Sequence, residues 1–286
     1  MVMLGLSGAM NAKMVGSGEK TLVLAHGYGG EQAAWDQILP HLAQTHRVLV
    51  FDWKFSGAAS EPNSFDTSKY SSYEAFSDDL ISLLEEMSLK KVVFVGHSMS
   101  GMIGCIASVT RPDLFDGLIL LAASPRYLNS EDYEGGLEKS QIDEILSNIE
   151  CNFHSWAVSF AAVAVGAQDP ASVEKFSQSL QKMGPDVALA LAKTVFWSDY
   201  RDVLDKVEVP CTIIQPTKDL VAPMSVAYYM EKKIKGKASV EVIEVDGHFP
   251  HLTCPQLLIA TLDKILGSDS GEKKASGCEE EEKVSI

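Results

Sequence analysis

Val93-Phe94-Val95-Gly96-His97-Ser98-Met99-Ser100-Gly101 decides the reading of this chain. Val93 to Val95 extend an apolar run of the kind a buried parallel strand shows, and the run stops at a turn of small residues with a serine at its tip. Such a strand-to-helix turn, a nucleophile elbow, lifts the serine oxygen above the sheet edge. It also aims the N-terminus of the next helix at that oxygen, so that backbone N–H groups can stabilise an oxyanion. The stricter motif has glycine two places after the serine, where this chain has Ser100. The competing reading is a strand-turn-helix whose serine is an ordinary N-cap.

The C-terminal half of the chain favours the elbow. Hydrolases of this layout order their triad serine, acid, histidine, with the acid after a late strand and the histidine after the last one. Cys211 to Gln215 reads as a strand and leads through Pro216-Thr217-Lys218 to Asp219; Val240 to Val245 alternates like a half-buried strand and runs into Asp246-Gly247-His248. One helix and one strand fit between Asp219 and His248, which puts both loops on the sheet edge that carries Ser98. A serine hydroxyl needs an imidazole to take its proton, and the imidazole needs a carboxylate on its far nitrogen. Asp246, two residues from His248, is the rival acid and is expected to shape the turn. His251 is the rival base, expected on the surface or at the entry to the last helix.

A second oxyanion donor is available early in the chain. Thr21 to Ala25 is strand-like and ends in His26-Gly27-Tyr28-Gly29-Gly30, where glycines let the backbone turn toward the serine. The N–H groups of Tyr28 and Met99 are therefore the expected oxyanion hole. His26 and His97, at strand ends, are read as packed structural histidines.

Composition narrows the classes. With 286 residues, 46% hydrophobic and 22% charged, the chain suits one α/β domain with an insertion. Cys105, Cys151, Cys211, Cys254 and Cys278 are widely spaced and include no CxxC pair. Neither a disulfide framework nor a zinc site is indicated, no metal or cofactor is expected, and reduced thiols in cytoplasm or nucleus are the default. The apolar start, Met1 to Gly8, lacks the basic flank and core length of a signal peptide and reads as an extension or first edge strand. No run approaches the ~20 apolar residues that span a bilayer. A net charge of −15 argues against a nucleic-acid partner. From Gly267 to Ile286 six acids face three bases among Ser and Gly, which reads as a disordered acidic tail.

The predicted order is strand 21–25, helix 31–43, strand 47–52, helix 74–88, strand 91–96, helix 99–110, strand 117–122, an interruption, then strand 211–215, helix 224–235, strand 239–245 and helix 255–266. This alternation means a mostly parallel sheet with helices on both faces. Residues 1–126 and 207–266 make that core. The insertion 127–206 turns helical near 137–149, 152–164, 170–183 and 185–197 and should cap the active-site edge. Its aromatic and aliphatic residues, among them Tyr127, Ile145, Trp156, Phe160, Val163, Phe176, Leu189, Phe196 and Trp197, hold the helices together and in part face inward. With Tyr28, Leu220 and Val221 below, they imply an apolar pocket for a small molecule.

Several stretches also resemble a known family. Met14-Val15-Gly16-Ser17-Gly18, His26-Gly27-Tyr28-Gly29, Gly96-His97-Ser98-Met99-Ser100, Arg111-Pro112-Asp113-Leu114-Phe115, Ala123-Ser124-Pro125-Arg126-Tyr127 and Asp246-Gly247-His248 are similar to the plant α/β-hydrolases of the strigolactone- and karrikin-receptor family, relatives of the bacterial hydrolase RsbQ. Ala9 to Lys13 and Phe51 to Ala58 look most like its DWARF-fourteen-like branch called "like two". The resemblance spans about residues 10 to 266. It implies an α/β-hydrolase fold with a V-shaped four-helix lid and slow hydrolysis of butenolide-type ligands by Ser98, Asp219 and His248. It also implies a pocket lined by Tyr28, Tyr127, Ile145, Phe160, Phe176, Phe196 and Leu220, and, as in the receptors, signalling through an F-box protein and a repressor; the chain is expected to be a monomer. Ser100 is normal for this family. Tyr28 stands where the receptors usually have phenylalanine, and Trp53 to Ala59 departs from their pattern. The readings that compete are an ester or enol-ether hydrolase, a receptor whose output is lid rearrangement, and a carbon–carbon hydrolase or cofactor-free peroxidase; a dehalogenase would carry aspartate at Ser98.

Overall fold

The computed structural model describes residues 5–59, 65–166 and 168–271. Its seven strands are β1 (Lys13–Val15), β2 (Thr21–Ala25), β3 (Arg47–Val50), β4 (Val92–His97), β5 (Phe115–Leu121), β6 (Cys211–Lys218) and β7 (Ala238–Asp246). They form one sheet in the order β1-β3-β2-β4-β5-β6-β7, all parallel except β1, which runs antiparallel to β3. Strand side chains alternate between faces, so each face carries its own apolar layer. Val23, Leu49, Phe94, Leu120 and Ile213 meet the helices Tyr73–Glu86 and Met99–Thr110, while Leu24, Val50, Val95, Leu121 and Ile214 meet Trp35, Ile38, Leu258 and Leu262.

The register matters for the site. Ala25 pairs with Gly96 and Leu121 with Ile214, so the loops leaving β2, β4 and β6 emerge at the same edge. In open parallel sheets, ligands bind outside the carboxyl ends of the strands.

Between β5 and β6 lie the helices Lys139–Val165, Pro170–Met183 and Pro185–Phe196 and a short 3-10 turn at Arg201–Lys206. The first of these is broken at Asn152, whose φ of −153° and ψ of 54° are not helical, so the two separate stretches read in the sequence are two arms of one kinked helix. Asp169 caps the second helix by accepting the Ser172 N–H at 3.1 Å. The insertion is fastened to the loop after β2: Ser179 Oγ donates to the Gly29 carbonyl at 2.7 Å, and Lys182 pairs with Glu31 at 3.0 Å.

Two terminal expectations change. The edge strand is Lys13–Val15, preceded by a helical turn over Leu6–Ala9, and the first four residues lie outside the described ones. The last helix, expected to give way to disorder at Gly267, continues to Gly271; the remainder of the acidic tail lies outside the described residues. Among the described residues no helix is long and apolar enough to cross a membrane.

Candidate active site

Ser98 sits between β4 and the helix Met99–Thr110 with φ 55° and ψ −125°, a left-handed conformation that a residue with a side chain adopts only when its surroundings force it. The crowding is visible at Gly96, where an added Cβ would lie 2.6 Å from the Ser100 carbonyl oxygen. Ser100 fills its place by bonding: Oγ donates to the His26 carbonyl at 2.5 Å and accepts the Trp53 indole N–H at 2.9 Å. The indole N–H also lies 3.0 Å from the His26 carbonyl, and the Trp53 backbone N–H donates to His26 Nε2 at 3.1 Å. His26 is therefore neutral with its proton on Nδ1, directed at the Gly27 carbonyl at 3.0 Å, and burial lowers its pKa against the pull of Asp52. These bonds join the elbow to the loop that carries Tyr28. Met99 is the first residue of its helix, so its N–H is one of those without an intrahelical acceptor.

Asp219 and His248 meet. His248 Nδ1 lies 2.6 Å from Asp219 Oδ2, and Asp219 Oδ1 accepts the backbone N–H groups of Val221 and Ala222 at 2.8 and 3.1 Å. The far nitrogen, Nε2, is buried without a partner among the described residues. Ser98 Oγ is instead 3.2 Å from the Tyr127 hydroxyl, so a bond to His248 Nε2 would need the serine side chain to turn from one neighbour to the other. Such bonds commonly close only in the substrate complex. Asp246 is exposed and pairs with Lys218 at 3.1 Å.

His251 is not on the surface. It is fully buried, stacked on Trp35 at 4.5 Å between ring centroids, and desolvation lowers its pKa to about 3. Both of its ring nitrogens are buried without a partner among the described residues. His97 donates through Nε2 to the His248 carbonyl at 2.9 Å, and burial among His251 and His248 holds its pKa well below the usual imidazole value. Among the described residues no group of three or more His, Cys, Asp or Glu is placed to hold a metal ion.

Ser98 and His248 share a cavity of about 20 Å³ with Tyr28, Tyr127, Phe160, Phe176 and Phe196, room for about one water. Ile145 and Leu220, expected in this pocket, line a separate chamber of about 230 Å³ on the other side of Phe160, Phe196 and Val221. Leu220 is 70% exposed. Val195 and Phe249 also line the inner cavity; sequence reasoning does not single them out, although Phe249 directly succeeds His248.

A family model described as the α/β-hydrolase fold matches residues 20–255. The chain is 41% identical to karrikin insensitive 2 receptor IA of Petunia hybrida over 91% of its length and 95% of the relative's. It is 42% identical to strigolactone esterase RMS3 of Pisum sativum, over 90% and 97%. Among solved structures, a hydrolase from Oleispira antarctica superposes with a TM-score of 0.88 at 33% identity, covering 92% of this chain and 96% of that one. The chain is an α/β-hydrolase. It belongs to the group that holds these plant esterases and receptors.

The α/β-hydrolase core explains why so few residues need to be near one another in sequence. Each loop at the strand ends brings one group: the Ser98 hydroxyl after β4, the Asp219 carboxylate after β6 and the His248 imidazole after β7. The Tyr28 hydroxyl does not reach into the cavity as an unpaired pocket hydroxyl. It donates to the Ala188 carbonyl of the inserted helix Pro185–Phe196 at 2.9 Å.

Proposed function

We propose that this α/β-hydrolase cleaves a small, mostly apolar ester or enol ether of butenolide type, with Ser98 as nucleophile, His248 as base and Asp219 as the group that orients the imidazole. The observation that carries the reading is the 2.6 Å contact between His248 Nδ1 and Asp219 Oδ2, with the other face of the imidazole turned into the cavity that holds the strained Ser98. In the reaction, Ser98 Oγ attacks the acyl carbon as its proton passes to His248 Nε2. The oxyanion accepts the N–H groups of Met99 and Tyr28. The leaving oxygen takes the proton back, and water, deprotonated by the same imidazole, releases the acid and restores Ser98. The similarity to a strigolactone esterase and a karrikin receptor supports the ligand class.

A second reading, a receptor whose output is lid movement, has one observation in its favour. A cavity of about 20 Å³ admits no lactone ring unless the lid shifts, so binding at Ser98 and lid rearrangement are the same event. For such a receptor, an F-box protein and its repressor target are the partner class the family resemblance implies.

Hydrolysis of a fluorogenic butenolide by wild type and Ser98→Ala tests the proposal. Turnover should fall by roughly 10³-fold or more in the variant, with thermal stability near wild type because the hydroxyl makes one long contact to Tyr127. Retention of most of the activity would remove Ser98 from the mechanism.

A further inference from the structure

The space beneath the lid is divided in two, and the divider converges on one side chain. The outer chamber, about 230 Å³, open to solvent at the 70% exposed Leu220 and lined by Ile145, Trp156, Val163 and Leu220 among others, has room for a small apolar molecule. The inner cavity at Ser98 holds about one water. Phe160, Phe196 and Val221 border both. The Tyr28 ring stands against both aromatic members of this wall, 6.4 Å from Phe160 at 88° and 6.3 Å from Phe196 at 59°, and it also meets Trp156 edge-on at 6.4 Å. Its hydroxyl then reaches 160 residues along the chain to the Ala188 carbonyl on the helix that carries Phe196.

We propose that Tyr28 is the latch between the two chambers: its ring braces Phe160 and Phe196, its hydroxyl pins the helix that bears Phe196, and a small apolar molecule in the outer chamber reaches Ser98 only when that bond is released. The hydroxyl is then a positioning group that controls access. A phenylalanine in the same place would brace the wall without pinning the helix. The loss of one buried hydrogen bond, net about 0.5–1.5 kcal/mol, corresponds to a two- to tenfold change in the open fraction.

The latch depends on side-chain placement and not on the chemistry proposed for Ser98, so a probe with no bond to cleave separates the two. Methyl-labelled protein titrated with 2-naphthol reports each chamber: Ile145 and Leu220 border only the outer one and Val195 only the inner one. In wild type the Ile145 and Leu220 methyls should shift while Val195 stays within error. In Tyr28→Phe the Val195 methyls should shift as well. Phe160→Ala, which removes part of the wall that the latch holds in place, should also make Val195 respond and tests the wall independently of the hydroxyl. The proposal fails if Val195 already responds in wild type, if no outer methyl moves, or if Val195 stays silent in a folded Tyr28→Phe protein. Silence in Phe160→Ala would equally overturn the wall.

Discussion

At the scale of single residues, two aspartates near His248 separate by geometry. Asp219 is buried, fixed by two backbone N–H donors and in contact with the imidazole, whereas Asp246 is exposed and faces a lysine. Replacing the carboxylate by an amide at Asp219 leaves its shape but no longer stabilises an imidazolium or selects its tautomer, so Asp219→Asn should lower kcat by about 10⁴-fold. Exposed ion pairs contribute about 0–1 kcal/mol, and Asp246→Asn should leave stability and turnover within a few-fold of wild type. Parallel kinetics on the two proteins, each verified by thermal melting, check this. Equal, severe losses would move the acid to Asp246. Asp219 could be placed from the sequence because a strand end and an intervening helix fix its loop. The Ser98–Tyr127 contact could not, since it depends on a side-chain rotation and on a residue 29 positions away.

At the scale of elements, the elbow is where strand and helix come closest, and Gly96 is the residue that allows it. A methyl at that position would meet the backbone oxygen of Ser100 at 2.6 Å, well inside any real carbon–oxygen contact, and backbone cannot rotate out of the way as a side chain can. Gly96→Ala should therefore destabilise the protein by about 1–3 kcal/mol, as overpacking commonly does, and should displace Ser98. Urea unfolding with turnover measured on the same preparation tests both. A stable variant of normal activity would show that the strand and helix can separate without cost. Elements of this kind were legible: apolar or alternating runs placed β2 to β7, and helical periodicity marked the inserted helices. The partition of the space beneath the inserted helices was not, because Ile145, Phe160 and Leu220 all read as apolar lining whether they border the outer chamber alone or, as Phe160 does, both. That arrangement depends on contacts between residues far apart in the chain, such as those of the Tyr28 ring with Trp156, Phe160 and Phe196.

At the scale of the whole molecule, two electrostatic effects oppose each other as pH falls. The chain carries a net charge of −15 at neutrality, and protonating exposed carboxylates relieves that repulsion and favours the folded state. Against this stand His26, His97 and His251, all buried and all with lowered pKa, His251 to about 3. In the unfolded chain each titrates near 6.5, so below that pH the unfolded state binds protons the folded state refuses. Their contribution is intact above about pH 6.5 and is lost as pH falls toward the folded value, at about 1.4 kcal/mol per pH unit for each fully neutral imidazole. Surface repulsion is screened, and His97 and His251, held well below the usual imidazole value, set the sign, so stability should fall from pH 7 to pH 5. His251→Phe isolates one contribution. The ring can still stack on Trp35, and its two nitrogens have no partner to lose among the described residues. Urea unfolding between pH 7 and pH 5 should give a slope lower than wild type by about one proton, whatever the variant's absolute stability. A slope identical to wild type would mean that His251 is protonated in the folded state and that the burial of the histidine cluster does not govern acid stability.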